Sequence, residues 1–491
     1  MTLGKNIRHG VAWLFVGNAG KQVLIFLFGI VLARLLAPKD FGILLTVQVF
    51  AGLAGFVAGG GMGQALVRAK ETTEKDYDIV FTLQLIIGSF IYAGFFFAAP
   101  WFAKWYDTPL YTNLLRITAL SFILRPFVNL PSSILYREMR FKAQTVVNIT
   151  SLLISNSAIV TMAYLGYGVW SLVWGGLIGS ILNAAMLIPL AKWRPRFSVE
   201  FRRGRDIARY GFMVSANDIV CYIRDQVSIF ILSRTLGPSS VGLYNKGESL
   251  SKMPHSFITG SVYNVLFRSM AVEQDNLDKS RYLFFRSMVL VALYATPFYI
   301  GLLWLSEPLI RGVYGARWVE SAAPLAILAL AWPFWLVETL SGAPLAARNW
   351  LGRELPVQIS SVIITALAVL IGLNYGISGV AWAIVCVSAF NAFYMLWLAL
   401  ACLKAHWVEV PRALAPAVAL NLMLAGSLAL ISALLPDFIR GNDYLYIAAL
   451  GTVGALLYVT AFLYIPFSSL ATEQQRWKLL LRLAPTKQGK T

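Results

Sequence analysis

The sequence predicts an all-α integral membrane protein, and three observations carry that expectation. Of the 491 residues, 58% are hydrophobic and only 13% charged, whereas soluble domains lie near half apolar and about a quarter charged. Apolar runs of roughly 20 residues recur from end to end, the length at which an α-helix crosses ~30 Å of hydrocarbon. The ~10-residue alternating strands of a membrane barrel do not occur. The expected architecture is about fourteen transmembrane helices, in two six-helix lobes around a central cavity with two further C-terminal helices.

Taken in order, the expected spans cover residues 11–36, 41–67, 79–103, 111–135, 143–166 and 168–191, then 207–236, 241–267, 283–306, 321–347, 355–374 and 377–403, and finally 413–435 and 444–468. The corresponding domains are an N-terminal lobe (1–191), a basic linker (192–206), a C-terminal lobe (207–404), two added helices (405–468) and a tail (469–491). No cleavable signal peptide is expected, because the first helix lacks a small-residue cleavage site.

The formal charge of +18 does not indicate nucleic-acid binding, because its distribution encodes topology. One set of alternate loops holds Lys5, Arg8, Arg68, Lys70, Lys75, Arg137, Arg140, Lys142, Lys192, Arg194, Arg196, Arg202, Arg203 and Arg205. The same set continues through Arg268, Lys279, Arg281, Arg348, Arg353, Lys404 and Arg412 to Arg476, Lys478, Arg482, Lys487 and Lys490. The other set holds only Lys39, Lys104, Arg311, Arg317 and Arg440. Positive charge stays on the cytoplasmic side, so both termini are expected there. Attraction of the 192–206 segment to anionic head groups is a further reading of its charge.

Two internal echoes divide the chain. Leu32, Arg34, Leu36, Pro38 and Gly42 recur as Leu232, Arg234, Leu236, Pro238 and Gly242. Tyr167, Gly168, Trp174, Ser180, Asn183 and Ala184 recur as Tyr375, Gly376, Trp382, Ser388, Asn391 and Ala392. The near-equal offsets make spans one to six and seven to twelve parallel copies, since six is an even number of crossings.

Ionisable residues at membrane depth cost several kcal/mol unless they face protein or water, so each is a candidate functional residue. Span one carries Asn18, Lys21 and Gln22 within a turn. Span seven carries Asp218, Tyr222 and Asp225 on one face, with Arg224 adjacent. Span eight carries Lys246, and Glu248, Lys252 and His255 at i, i+4, i+7, with Glu248 and Lys252 oriented for an intrahelical ion pair. Arg125 stands beside Pro126 in span four, and Glu338 between Pro333 and Pro344 in span ten. Arg34, Arg116 and Arg234 are expected to snorkel to an interface. An excess of mid-span cations suits an anionic ligand, and guanidinium groups suit phosphate oxygens. Lys21, Arg125 and Arg224, which sit near mid-span, are therefore the candidate contacts for such a ligand.

Small residues in Ala51–Gly63 permit either close helix approach or a helix break, and Pro126, Pro131, Pro297, Pro324, Pro333, Pro344 and Pro356 are expected to punctuate their spans. No nucleotide-binding P-loop, zinc-protease helix, CxxC pair or nucleophile elbow occurs. Cys221, Cys386 and Cys402 lie far apart, and His9, His255 and His406 are scattered, so no disulfide framework, metal or cofactor is expected. The external loops are short, which disfavours a membrane polymerase or acyltransferase, and the chain is read as a non-enzyme.

The stretches LARLLAPKDFGILLTVQVF, LSRTLGPSSVGLYNKGESL, LPSSILYREMRFK and GYGVWSLVWGGL resemble the polysaccharide-transport branch of the MOP flippases, the Wzx-like exporters, most closely the colanic-acid-exporter-like group. The resemblance implies a two-lobed helical bundle around a V-shaped cationic cavity in the bacterial inner membrane. It also implies export of undecaprenyl-diphosphate-linked oligosaccharide units for exopolysaccharide, capsule or O-antigen synthesis. In related proteins a proton or sodium gradient, coupled through embedded carboxylates, drives transport. With that resemblance, Lys21, Arg125, Arg224, Lys246 and Lys252 are by position the expected diphosphate and glycan contacts, and Asp218, Asp225, Glu248 and Glu338 the expected ion-coupling carboxylates. A polysaccharide polymerase and a chain-length regulator are expected partners. A cation or drug antiporter of the same fold is the competing reading; its class more often has twelve spans and an acidic cavity.

Overall fold

A computed structural model of the chain describes residues 3–59, 61–69, 71–273 and 275–481. Lys70, Arg482, Lys487 and Lys490 lie outside the described residues, as do the side chains of Lys5, Arg8, Asn18, Arg202 and Arg203. The described residues are helical with no strand.

The first half runs α1 (Leu3–Leu35), α2 (Pro38–Gly59), α3 (Met62–Arg68), α4 (Glu74–Trp105), α5 (Leu110–Arg137), α6 (Phe141–Tyr164), α7 (Val169–Leu190) and α8 (Phe201–Thr235). The second half runs α9 (Gly237–Val272), α10 (Leu277–Tyr314), α11 (Ala322–Ala329), α12 (Trp332–Ala347), α13 (Leu351–Gly372), α14 (Gly376–Leu403), α15 (Glu409–Leu434), α16 (Asp437–Arg440), α17 (Asp443–Tyr464) and α18 (Ala471–Leu480). Among the described residues, nine helical runs are long and apolar enough to cross a membrane, or ten if α11 and α12, bent by 50° at their junction, form one span. Helices α8 and α9 carry the polar residues that keep them below such a threshold, so a count of fourteen crossings remains a proposal.

Local chemistry sets several helix ends. The Asp76 carboxylate accepts from the Thr73 backbone N–H (2.8 Å) and hydroxyl (2.9 Å), closing the first turn of α4. Asn276 caps α10 by accepting from Lys279 N at 3.0 Å. Asn442 caps α17 by accepting from Tyr444 N and Leu445 N. The repeated Tyr-Gly pair has a backbone cause: Gly168 and Gly376 open α7 and α14 with φ of 54° and 67°, a region that side chains with a Cβ avoid. The prolines divide between helix interiors and helix starts. Pro126 and Pro131 lie inside α5, Pro297 inside α10, Pro344 inside α12 and Pro356 inside α13, since neighbouring helices and local adjustments satisfy the freed carbonyls of buried membrane helices. Pro333, by contrast, stands in the first turn of α12, directly after the 50° bend at Leu330–Ala331, and Pro324 lies in the first turn of α11.

The chain divides into two compact units, Met1–Gly242 and Leu243–Thr491. In the first, Leu66, Val80, Phe81, Leu130, Leu135 and Leu187 form one core and Ile43, Val47, Tyr111, Leu114 and Val173 another. In the second, Phe284, Met288, Trp332, Leu336, Leu340 and Leu400 join α10, α12 and α14. Helix α8 packs on α2, α3 and α4, so the compact units divide after α8, whereas the repeats divide before it. The extended part of the basic linker is short, because α8 begins at Phe201.

Candidate functional site in the membrane helices

In the first unit, the glycines of α2 form a column that two side chains enter from different helices. Arg125 of α5 donates through Nη1 to the Gly55 carbonyl. A Cβ on Gly55 would lie 2.6 Å from that Nη1, and one on Gly59 would lie 3.0 Å from Arg125 Cδ. One turn earlier, the Tyr222 hydroxyl of α8 reaches the carbonyls of Gln48 (2.9 Å) and Val49 (3.2 Å) and covers Gly52. Small residues are what let these groups sit against the backbone. Close approach, one of the two outcomes read from the small-residue run, therefore occurs along α2.

Tyr222 stands one turn from both Asp218 and Asp225 on α8. Arg224 donates through Nε to Oδ1 of its neighbour Asp225 at 3.1 Å. Asp218 is half-buried and Asp225 exposed. Lower on α8, Ser215 Oγ accepts from Gly61 N at 3.1 Å. Lys21 is exposed on α1, whose Leu32 and Leu36 pack with Ala163 and Leu172. The Arg116 guanidinium lies 4.1 Å over the Phe96 ring and its Nε donates to the Phe96 carbonyl. Arg34 and Arg234 are exposed.

In the second unit, α9 and α12 gather a mixed polar and aromatic cluster. Glu248 is buried, and Lys252 Nζ meets its Oε1 at 2.7 Å, the intrahelical pair the spacing predicts. The same ammonium lies 5.9 Å from the Trp335 ring. The His255 ring lies edge-on to Trp332 at 5.4 Å and tilted to Trp335 at 6.1 Å. Trp335 Nε1 donates to Ser388 Oγ at 2.9 Å, and Ser388 belongs to the second repeat echo. Lys246 Nζ lies over Tyr314 at 4.4 Å and Trp318 at 5.1 Å, a cation–π arrangement. Glu338 is half-buried on α12 and engaged with its surroundings.

Four of the nine candidate residues, Lys246, Glu248, Lys252 and Glu338, thus lie in the second unit, and Lys21, Arg125, Asp218, Arg224 and Asp225 in the first. The aromatic partners Trp318, Trp332, Trp335 and Tyr222 were not among the candidates. Only Tyr222 had a signal, its place on the Asp218–Asp225 face; the tryptophans lie in other helices and share no period with α9. Among the described residues, no cluster of three or more His, Cys, Asp or Glu side chains could hold a metal.

Comparison with known proteins places the chain. A family model described as polysaccharide biosynthesis protein matches residues 31–323, more than half its length. The chain belongs to that family. It is 27% identical to the succinoglycan biosynthesis transport protein ExoT of Rhizobium meliloti, over 66% of each chain. It is 22% identical to the lipopolysaccharide biosynthesis protein WzxC of Escherichia coli, over 65% of each, and 20% identical to the teichuronic acid biosynthesis protein TuaB of Bacillus subtilis, over 81% of this chain and 83% of TuaB. The matches to ExoT and WzxC thus span just under two thirds of those proteins. The fold is that of the lipid II flippase MurJ in an inward closed conformation, with a TM-score of 0.77 at 18% identity over 92% of this chain and 98% of MurJ. An inward-facing MATE family transporter of the MOP superfamily follows at 0.62 and 15% identity, over 78% of this chain and 94% of the transporter. At these identities the structural likeness concerns the fold alone. This member of the family is a multi-pass membrane protein.

Proposed function

We propose that this chain is a flippase that carries undecaprenyl-diphosphate-linked oligosaccharide units across the bacterial inner membrane. The observation that carries the reading is membership of a polysaccharide biosynthesis family whose relatives include a succinoglycan biosynthesis transport protein, on a whole-chain fold shared with a lipid-precursor flippase. No chemistry on the substrate is required of it. The substrate is amphiphilic and anionic, and the mid-span cations supply what its diphosphate lacks in hydrocarbon: charge-assisted hydrogen bonds and compensation of buried charge.

In this reading Lys21, Arg125, Arg224, Lys246 and Lys252 meet the diphosphate and glycan. The carboxylates of Asp218, Asp225, Glu248 and Glu338 couple transport to a proton or sodium gradient. Residues 1–191 and 207–404 act as the two lobes of alternating access, with 405–468 as added helices. Both termini face the cytoplasm, and a polymerase and chain-length regulator take the product. Two of these cations have a carboxylate partner in the resting state: Arg224 has Asp225, and Lys252 has Glu248. A diphosphate displaces such a carboxylate only by offering stronger contacts, and the released carboxylate becomes free to take a cation.

The test is complementation of a strain that lacks the gene. Lys21→Ala and Arg224→Ala are each expected to abolish surface polysaccharide while the protein reaches the membrane at normal level. Unchanged polymer in both variants would remove the cationic-site reading. Efflux of a cationic dye by the wild-type chain, without restored polymer, would replace the flippase with an antiporter.

A further inference from the structure

The first internal echo meets itself in space. A Cβ built on Gly42 would overlap the Pro238 carbonyl oxygen, and a Cβ built on Gly242 would overlap the Pro38 carbonyl oxygen. The contact is reciprocal: the proline at the start of each repeat corner is seated on the glycine four residues into the other. Gly242 also approaches the Gly42 backbone nitrogen, which lies 3.3 Å from its built Cβ. All four residues belong to the first compact unit. Around them, Val241 is fully buried and Leu36 and Ile43 nearly so. Five residues before Pro238, the Ser233 hydroxyl meets the Tyr106 hydroxyl at 2.9 Å, and eight residues before it Phe230 packs on Phe50 at 5.5 Å.

Neither backbone nor helix propensity requires glycine at these two positions. Gly42 and Gly242 lie inside helices without positive φ, where glycine is less favourable than alanine. The glycines are explained by the approach of the opposing carbonyl, which leaves no room for one methyl group. Self-complementary contacts of this type form about a two-fold axis. The paired residues are equivalents in the repeat, so such an axis relates the two corners.

We infer that the Pro38–Gly42 and Pro238–Gly242 corners are a paired latch that holds the two repeat corners together and separates during each transport cycle. This rests on the flippase reading only in its second half. A backbone-to-backbone contact with no side chain between its halves has little to repack. It is therefore suited to opening and closing as a unit, whereas an interdigitated core is not.

The experiment uses the full chain with Cys221, Cys386 and Cys402 replaced by Ser and a reporter Val241→Cys added. In opened membrane vesicles, Gly42→Ala and Gly242→Ala are each expected to speed labelling of the reporter by a small water-soluble maleimide about tenfold, because overpacking the contact shifts the open–closed balance. Gly94→Ala is the control, since a Cβ there meets nothing within 4 Å. Unchanged labelling in both corner variants would overturn the latch. In a second arm, Pro38→Cys and Pro238→Cys are joined by a short, reducible bifunctional reagent. The joined chain is expected to lose export and regain it on reduction; normal export by the joined chain would show a static brace and overturn the cycle. Labelling reads the corner whether or not the chain exports. A parent chain that fails to restore polysaccharide would sink the flippase reading and leave the labelling result standing.

Discussion

Arg125 illustrates how a single charge becomes tolerable inside the membrane. Its guanidinium is half-buried, points at the Gly55 carbonyl and lies over Gly59. A charged donor on a backbone carbonyl contributes more than a neutral one, and leaving it unpaired costs more than its formation gains. Gly55→Ala puts a methyl where the guanidinium lies. It is expected to lower stability by about 1–3 kcal/mol, the usual range for overpacking. Gly94→Ala, which meets nothing, should stay within about 0.5 kcal/mol. Thermal midpoints of the purified protein in detergent check this, and equal midpoints for the two variants would mean that Arg125 does not depend on the column. The Glu248–Lys252 pair is a different case. Its spacing alone brings the groups together, whereas Arg125 needs another helix to supply its acceptor.

Among the elements, α18 shows how a short polar helix is held to a membrane bundle. Glu473 is buried and accepts from Arg286 at 3.2 Å and from the Tyr294 hydroxyl at 3.0 Å, with Arg476 at 3.7 Å. Trp477 Nε1 completes the network by donating to the Tyr294 oxygen at 2.7 Å. Glu473→Ala removes the acceptor that Arg286 and Tyr294 share. The expected result is a loss of about 2–4 kcal/mol, within the range for breaking a buried charged network. It should also bring earlier protease cleavage near residue 470, read by mass spectrometry; unchanged cleavage would show that α17 and the connecting turn hold α18 without the network. Helix α8 carries the opposite lesson. Its sequence makes it the head of the second repeat, yet Tyr222, Ser215 and Ser233 tie it to α2, the segment after α2, and the end of α4. Those ties are polar contacts to backbone and hydroxyl groups, which no hydrophobic period announces.

For the whole molecule, loop charge makes a topological prediction that does not depend on any site. A phosphatase active only outside the cytoplasm, inserted after Asp107, is expected to be active, and the same reporter inserted after Arg196 is expected to be silent. Activity at the second position would reverse the orientation and place both termini outside. Helix positions were readable along the chain, since each expected span coincides with one helix or one broken pair. That legibility follows from the membrane: hydrocarbon leaves the backbone no unsatisfied alternative to helix over ~20 apolar residues. The fold class and the family were readable too. The candidate site was legible as a set of charged positions, but the partners of most of them were not.

The difference between these two kinds of knowledge has a physical origin. Span length, loop charge, the two repeats and the Glu248–Lys252 pair are one-dimensional properties, fixed by helix rise, helix period and the cost of burying charge. Which carbonyl receives Arg125, which rings surround Lys246 and His255, and which glycine receives Pro38 were decided by helix packing. Those distances depend on where a missing side chain lets two backbones meet, and the meeting residues lie tens to hundreds of positions apart. The repeat of Pro38 and Gly42 at Pro238 and Gly242 is visible in the sequence; that the two copies close on one another is a property of the tertiary structure alone.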